Sequence, residues 1–179
     1  MGKVFQGIDT KLEKWIAKQK MFFVATAPRV DGGLVNCSPK GMDTFRVLDR
    51  HTVAYLDLTG SGIETVAHVE ENGRIVIMMC AFEGAPRIVR FHGQGSISRR
   101  GTQDYEERLH HFPELPGRRS IVTIAVKRIA DSCGYSVPLY EYRGDREALT
   151  RWAEKKGSDG ISRYVAEKNT ESLDGLPGF

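Results

Sequence analysis

From residue 22 onward the chain is written mostly in short apolar runs, cut by glycine, proline and aspartate. The first apolar face lies earlier. Leu12, Trp15 and Ile16 share one side of a helix predicted over residues 9–20, and Thr10 and Glu13 have the spacing of a capping box. Residues 22–26 form an apolar strand. The turn chemistry of residues 28–33 then leads into a second strand at residues 34–37, so the pair is expected to be a hairpin. Residues 45–48 read as a short strand or a loop, and residues 52–58 alternate as a strand. Ile63, Val66, Ala67 and Val69 mark the inner face of a helix over residues 63–72, with Gly73 placed to end it. Residues 74–82 are the most hydrophobic stretch and suit a central buried strand. They are too short to span a membrane.

After a turn at residues 83–86, a long strand over residues 87–97 alternates. Val89 and Phe91 share one face, and Ile88, Arg90 and His92 the other. Gly93 and Gly95 predict a bend or bulge. A short helix over residues 103–112 stops at Pro113, and residues 120–129 make a β-branched last strand. Residues 131–142 are irregular. Two helical patterns follow, residues 145–156 up to Gly157 and residues 160–169, and the tail from residue 172 shows no regular pattern. Short strands, tight turns and paired glycines predict an α+β fold built on an antiparallel barrel with peripheral helices. No Gly-x-Gly-x-x-Gly follows a strand, and the strands are not regularly separated by helices, so a doubly wound sheet is not expected. Residues 1–143 read as the barrel domain, and residues 144–179 as its helical appendage.

Composition narrows the function. At 179 residues the chain can bury its own core. A net charge of +3, with basic residues scattered among acids, gives no nucleic-acid surface. The Arg99-Arg100 and Arg118-Arg119 pairs read as solvated loop charges. Cys37, Cys80 and Cys133 form neither a disulfide framework nor a zinc motif, so the chain is expected to be soluble and cytoplasmic. Cys37 reads as a small buried hydrophobe rather than a redox thiol. His110 and His111, being adjacent, point to different sides of a helix and make no metal site. Asp43, Asp49 and Asp57 form no recognisable carboxylate pair.

The candidate chemistry lies at two strand ends. Asn36-Cys37-Ser38-Pro39-Lys40-Gly41 is a small polar turn carrying one lysine. Thr59-Gly60-Ser61-Gly62 breaks the strand at residues 52–58 just before a helix. Such a helix start offers free N–H groups and a favourable dipole to an anion. Ser61 and Thr65 add hydroxyls, which serve an anion or an ordinary N-cap. Lys40 would bring positive charge if the two strands are neighbours. These residues point to a phosphate-bearing cofactor held between the two strand ends.

Taken in order, these segments resemble the pyridoxamine 5′-phosphate oxidase-related, FMN-binding split-barrel family. The likeness rests on Met21-Phe22-Phe23-Val24-Ala25-Thr26, on the Ser38-Pro39-Lys40-Gly41 loop, on Ala54-Tyr55-Leu56-Asp57 through Thr65 with Glu71-Asn72-Gly73-Arg74 after it, and on Arg87-Ile88-Val89-Arg90-Phe91-His92-Gly93. It spans roughly residues 10–130. The resemblance implies a homodimer with FMN at the subunit interface. It also implies that Asn36, Ser38, Pro39, Lys40 and Gly41 lie along the flavin. Thr59, Gly60, Ser61, Gly62, Thr65, Lys40 and an arginine, Arg90 or alternatively Arg87, would hold its phosphate. The implied activity is flavin-dependent oxidoreduction of a small substrate. A deazaflavin-dependent reductase, or a non-catalytic flavin- or heme-binding module, are the alternatives on the same fold. The oxidase's Ser-Arg-Lys cluster is replaced here by Gly-Ser-Gly and Ile-Glu-Thr, and its C-terminal Arg-Leu-His and Trp pattern is missing. Oxidation of pyridoxamine phosphate itself is therefore not expected. No side chain stands out as a general acid or base.

Overall fold

The computed structural model describes residues 2–179. Among them the strands are β1 (Val4–Phe5), β2 (Phe22–Thr26), β3 (Asn36–Lys40), β4 (Phe45–Val47), β5 (Thr52–Leu58), β6 (Arg74–Cys80), β7 (Ile88–Arg99) and β8 (Arg118–Ser132). The helices are α1 (Thr10–Ile16), α2 (Glu64–Asn72), α3 (Gln103–Leu109) and α4 (Ala148–Lys168). The strands form one antiparallel sheet in the order β3-β2-β6-β7-β8-β5-β4, with β1 added alongside β8. β3 and β4 stand at opposite ends of that path, yet only residues 41–44 separate them in the chain. The sheet therefore has to curl until its ends approach, which makes it a split barrel. The seam is closed by rings: Phe22 of β2 lies 5.1 Å from Phe45 of β4 and 5.5 Å from Tyr55 of β5.

The link itself is tight. Met42 and Asp43 have φ of 63° and 52°, the left-handed region that side chains disfavour. Arg46 grips the Asp43 carboxylate through both oxygens, at 2.8 and 3.0 Å, and the Thr44 hydroxyl donates to the Gly41 carbonyl at 2.6 Å. These bonds hold a conformation that costs on the order of 1 kcal/mol per residue.

Alternation decides what fills the barrel. Val24, Tyr55, Ile77, Phe91, Val122 and Ile124 are fully buried inside it. Arg90 and His92, one residue out of phase, lie on the outer face of β7. The β7–β8 register shifts between His92 and Gly93, as the paired glycines predict. A Cβ at Gly93 would strike the Ala125 carbonyl, so the bulge requires glycine. α2 buries Val66, Ala67, His68 and Val69 and ends at Gly73, whose φ is 69°. α3 covers a smaller cluster around Leu56, Tyr105 and Ile121.

Some boundaries differ from expectation. Asp9, not Thr10, caps α1, its carboxylate accepting the Leu12 N–H at 2.7 Å. Residues 38–40 are not a loop: Ser38, Pro39 and Lys40 pair with Val24, Phe23 and Phe22. Proline is tolerated because β3 is an edge strand. β8 runs from Arg118 to Ser132 and takes in residues expected to be irregular. α4 is interrupted at Gly157, where φ is 63° and ψ 176°, matching the predicted stop. No helix of the described residues is long and apolar enough to cross a membrane.

Candidate functional site

The turn of residues 59–62 joins β5 to α2 and is held from one side. Asn169, at the C-terminal end of α4, donates through Nδ2 to the carbonyls of Gly60 and Ser61 at 3.0 and 3.2 Å. Arg119 of β8 donates to the Gly62 carbonyl at 2.9 Å. The peptide bonds are all trans, so each C=O is opposed by the N–H of the next residue. Drawing three carbonyls backward turns the N–H groups of Ser61, Gly62 and Ile63 forward. None of these donates to an acceptor among the described residues. The residue before α2, Ile63, also offers no side-chain cap, so the helix start stays open. Ahead of it lies a cavity of about 510 Å³ lined by Leu34, Val35, Asn36, Cys37, Ser61, Gly62, Glu64 and Leu173.

Behind the turn is a buried charge network. Asp57 of β5 is 2% exposed and accepts from Arg119, itself 7% exposed, at 2.8 Å. Lys40 approaches the other oxygen at 3.3 Å, and Ser120 donates to Oδ2 at 3.2 Å. Burial alone would raise the Asp57 pKa. The two cations outweigh it and hold the carboxyl below its ordinary range. Asn169 Oδ1 accepts from Arg119 at 2.9 Å. The Phe179 ring lies under the guanidinium groups of Arg99 and Arg119, at 4.9 and 5.8 Å.

A second polar chain runs from β3 under α2. Asn36 Nδ2 donates to Thr26 and Thr65 at 3.1 and 2.9 Å, and its Oδ1 accepts from Ser38 at 2.9 Å. The Thr26 hydroxyl is also hydrogen-bonded to His68 Nδ1, 3.0 Å away. His68 Nε2 faces the Asp174 carboxylate at 3.5 Å. Asp174 also accepts the Leu34 N–H at 3.0 Å.

The comparisons agree with this architecture. The family model described as "Pyridoxamine 5'-phosphate oxidase" matches residues 8–133. The chain belongs to the pyridoxamine 5′-phosphate oxidase family. It is similar to the Aspergillus flavus "Pyridoxamine 5'-phosphate oxidase family protein ustO", with 35% identity over 192 positions covering 98% of this chain and 77% of that one. Among solved structures it resembles a variant of Group A Streptococcus HupZ, with TM-score 0.54 and 26% identity over 70% of this chain and 99% of the other. A FAD-binding protein from Mesorhizobium loti shares the fold, with TM-score 0.50 and 10% identity over 73% and 96% of the two chains. The fold is thus the FMN-binding split barrel of pyridoxamine 5′-phosphate oxidase relatives.

Within that family frame, the expected site residues separate into groups. Asn36, Ser61 and Gly62 meet at the smaller cavity, and Gly60 belongs to the same turn. Ser38 faces Asn36. Pro39, Lys40 and Gly41 line a larger cleft of about 1210 Å³, whose other walls include Trp15, Lys20, Arg87, Phe82, Tyr140 and Tyr142. Thr59 and Thr65 are buried: Thr59 donates to the Gly117 carbonyl at 2.9 Å and Thr65 accepts from Asn36. Arg90 donates to Ser132 at 3.1 Å on the outer face of β7, away from the turn. Arg87 pairs with Asp131 at 3.0 Å and lies over Trp15.

Other expectations change. Arg119 is a buried ion-pair partner, not a solvated loop charge. Cys37 is exposed, not a buried hydrophobe. The His110 and His111 rings lie 3.9 Å apart rather than on different sides. Asp57, Arg119, Asn169, His68 and Asp174 were not found from the sequence as site residues. Their partners stand 17 to 140 positions away, and no local motif joins them. An arginine just before the β-branched run that starts at Ile121 is the one local signal that could have marked Arg119. The donor set at the turn, made of backbone N–H groups with the Ser61 hydroxyl beside them, has the chemistry of a phosphate site and fits the flavin phosphate of this family.

Proposed function

We propose that the protein binds FMN and is a flavin-dependent oxidoreductase acting on a small substrate. The carrying observation is the turn of residues 59–62, whose carbonyls are drawn back onto Asn169 and Arg119 and whose N–H groups face a cavity. In this reading Ser61, Gly62, Ile63 and the start of α2 hold the phosphate. Asn36 and Ser38 lie beside the ribityl chain, and Pro39, Lys40 and Gly41 flank the ring where β3 meets the larger cleft. That cleft admits the substrate. A bound flavin supplies the electron-transfer chemistry, and the chain supplies binding, orientation and exclusion of water. No residue is assigned as general acid or base.

The unpaired outer edge of β3 and the exposed Leu34 and Val35 next to it support a homodimer formed on this side, with the cofactor between subunits. We place the protein in the cytoplasm. One observation favours a second cofactor. Asp57 already engages both Lys40 and Arg119, and Glu64 lines the cavity, so the site has little surplus positive charge. Such a site suits a singly charged phosphodiester, as a deazaflavin carries. The test is a visible spectrum of protein loaded with FMN and freed of unbound ligand by gel filtration. A retained flavin band supports the FMN reading. A colourless protein that still binds a deazaflavin cofactor moves the assignment to the second.

A further inference from the structure

The last residues of the chain lie on both sides of the proposed phosphate cavity. Asn169 holds the Gly60 and Ser61 carbonyls from behind the turn. Five residues later, Asp174 takes the Leu34 N–H at the rim and faces the fully buried His68. Leu173, between these anchors, lines the cavity itself. The remainder folds back to fix Asn169. The Phe179 N–H donates to the Asn169 carbonyl at 2.8 Å, the Gly178 N–H to the Thr170 carbonyl at 2.8 Å, and Arg99 to the Gly178 carbonyl at 3.1 Å. The tail therefore meets α4, β7, α2 and the segment leading into β3 around one turn.

We propose that residues 169–179 are a positioning segment for the phosphate turn, with Asn169 as its acting residue. The inference rests on the flavin reading above and adds to it. Asn169 does not touch the ligand in this arrangement. It acts through two carbonyls, and by holding them it aims the Ser61 and Gly62 N–H groups. Without its amide donors the glycine turn is free to rotate those peptides, since Gly60 and Gly62 impose little preference of their own. Phosphate binding needs the aimed turn, and the aimed turn needs the docked tail. Ligand binding and tail docking are then linked, and each strengthens the other by the same factor.

The experiment combines hydrogen exchange with titration of FMN and of riboflavin, which lacks the phosphate. In the wild-type protein, FMN should slow exchange at the Ser172, Leu176, Gly178 and Phe179 amides, and riboflavin should not. In Asn169→Ala, FMN affinity should fall about tenfold or more while riboflavin affinity stays unchanged. A merely structural asparagine would weaken both flavins alike, and that result overturns the proposal. Wild-type protein that binds FMN without any slowing in the tail overturns it also, and this arm decides the matter if the variant does not fold. Wild-type protein that binds no FMN overturns the flavin reading itself, which distinguishes the two failures.

Discussion

Asp57 carries more of the structure than its lone position in β5 suggests. It is a carboxylate at 2% exposure that pairs with one buried arginine and one half-buried lysine. Removing its charge leaves Arg119 buried and unpaired, so Asp57→Asn should destabilise the fold by about 3–5 kcal/mol in a denaturant titration. The pH dependence has a defined sign. Because the folded carboxyl lies below its ordinary value of 3.8, its contribution is present above that pH and is lost as pH falls through the lower folded value. Wild-type stability should therefore decline with acidification below about pH 4, and Asp57→Asn should lack that share of the decline. At this scale the sequence was only partly readable. The open helix start with its serine and glycines follows from local chemistry. The Asp57–Arg119 pair does not, because its members stand 62 positions apart in the chain and meet only when β5 pairs with β8.

Elements were legible where period and punctuation agree. β7, with its alternation and its Gly93 bulge, and α2, with its Gly73 stop, fall where the pattern puts them. β1 escapes the pattern because two residues carry no period, and residues 38–40, the second half of β3, read as a loop because Pro39 and Gly41 look like turn residues. Only an edge position reconciles proline with pairing. Two glycines give sharp tests. Gly93→Ala would press a methyl group into the Ala125 carbonyl and should destabilise the barrel by about 1–3 kcal/mol, measured by thermal unfolding. Gly157→Ala forces a side chain into a backbone region almost reserved for glycine and should cost about 1–3 kcal/mol, with FMN binding unchanged. Gly157 is neither in the turn nor among the residues that line the cavity, so a loss of FMN binding there would contradict the placement of the site.

The whole molecule is a sheet curled until its ends meet, with the proposed phosphate cavity at the junction of β3, α2 and the tail. Its antiparallel barrel is legible in the short strands and tight turns, and its split-barrel class in the family resemblance. The role of the tail was not, since residues 172–179 show no pattern until they are seen folded over the turn. If β3 is an interface edge, gel filtration should give a species of twice the 20.0 kDa chain mass. A monomer that still binds FMN would remove the interface from the account. The central claim is that the turn of residues 59–62 anchors a phosphate. Calorimetric titration of the wild-type protein with FMN and with riboflavin tests it most directly. The account predicts that FMN binds at least about tenfold more tightly, the worth of one or two hydrogen bonds to a charged group. Equal affinities for the two flavins would contradict it.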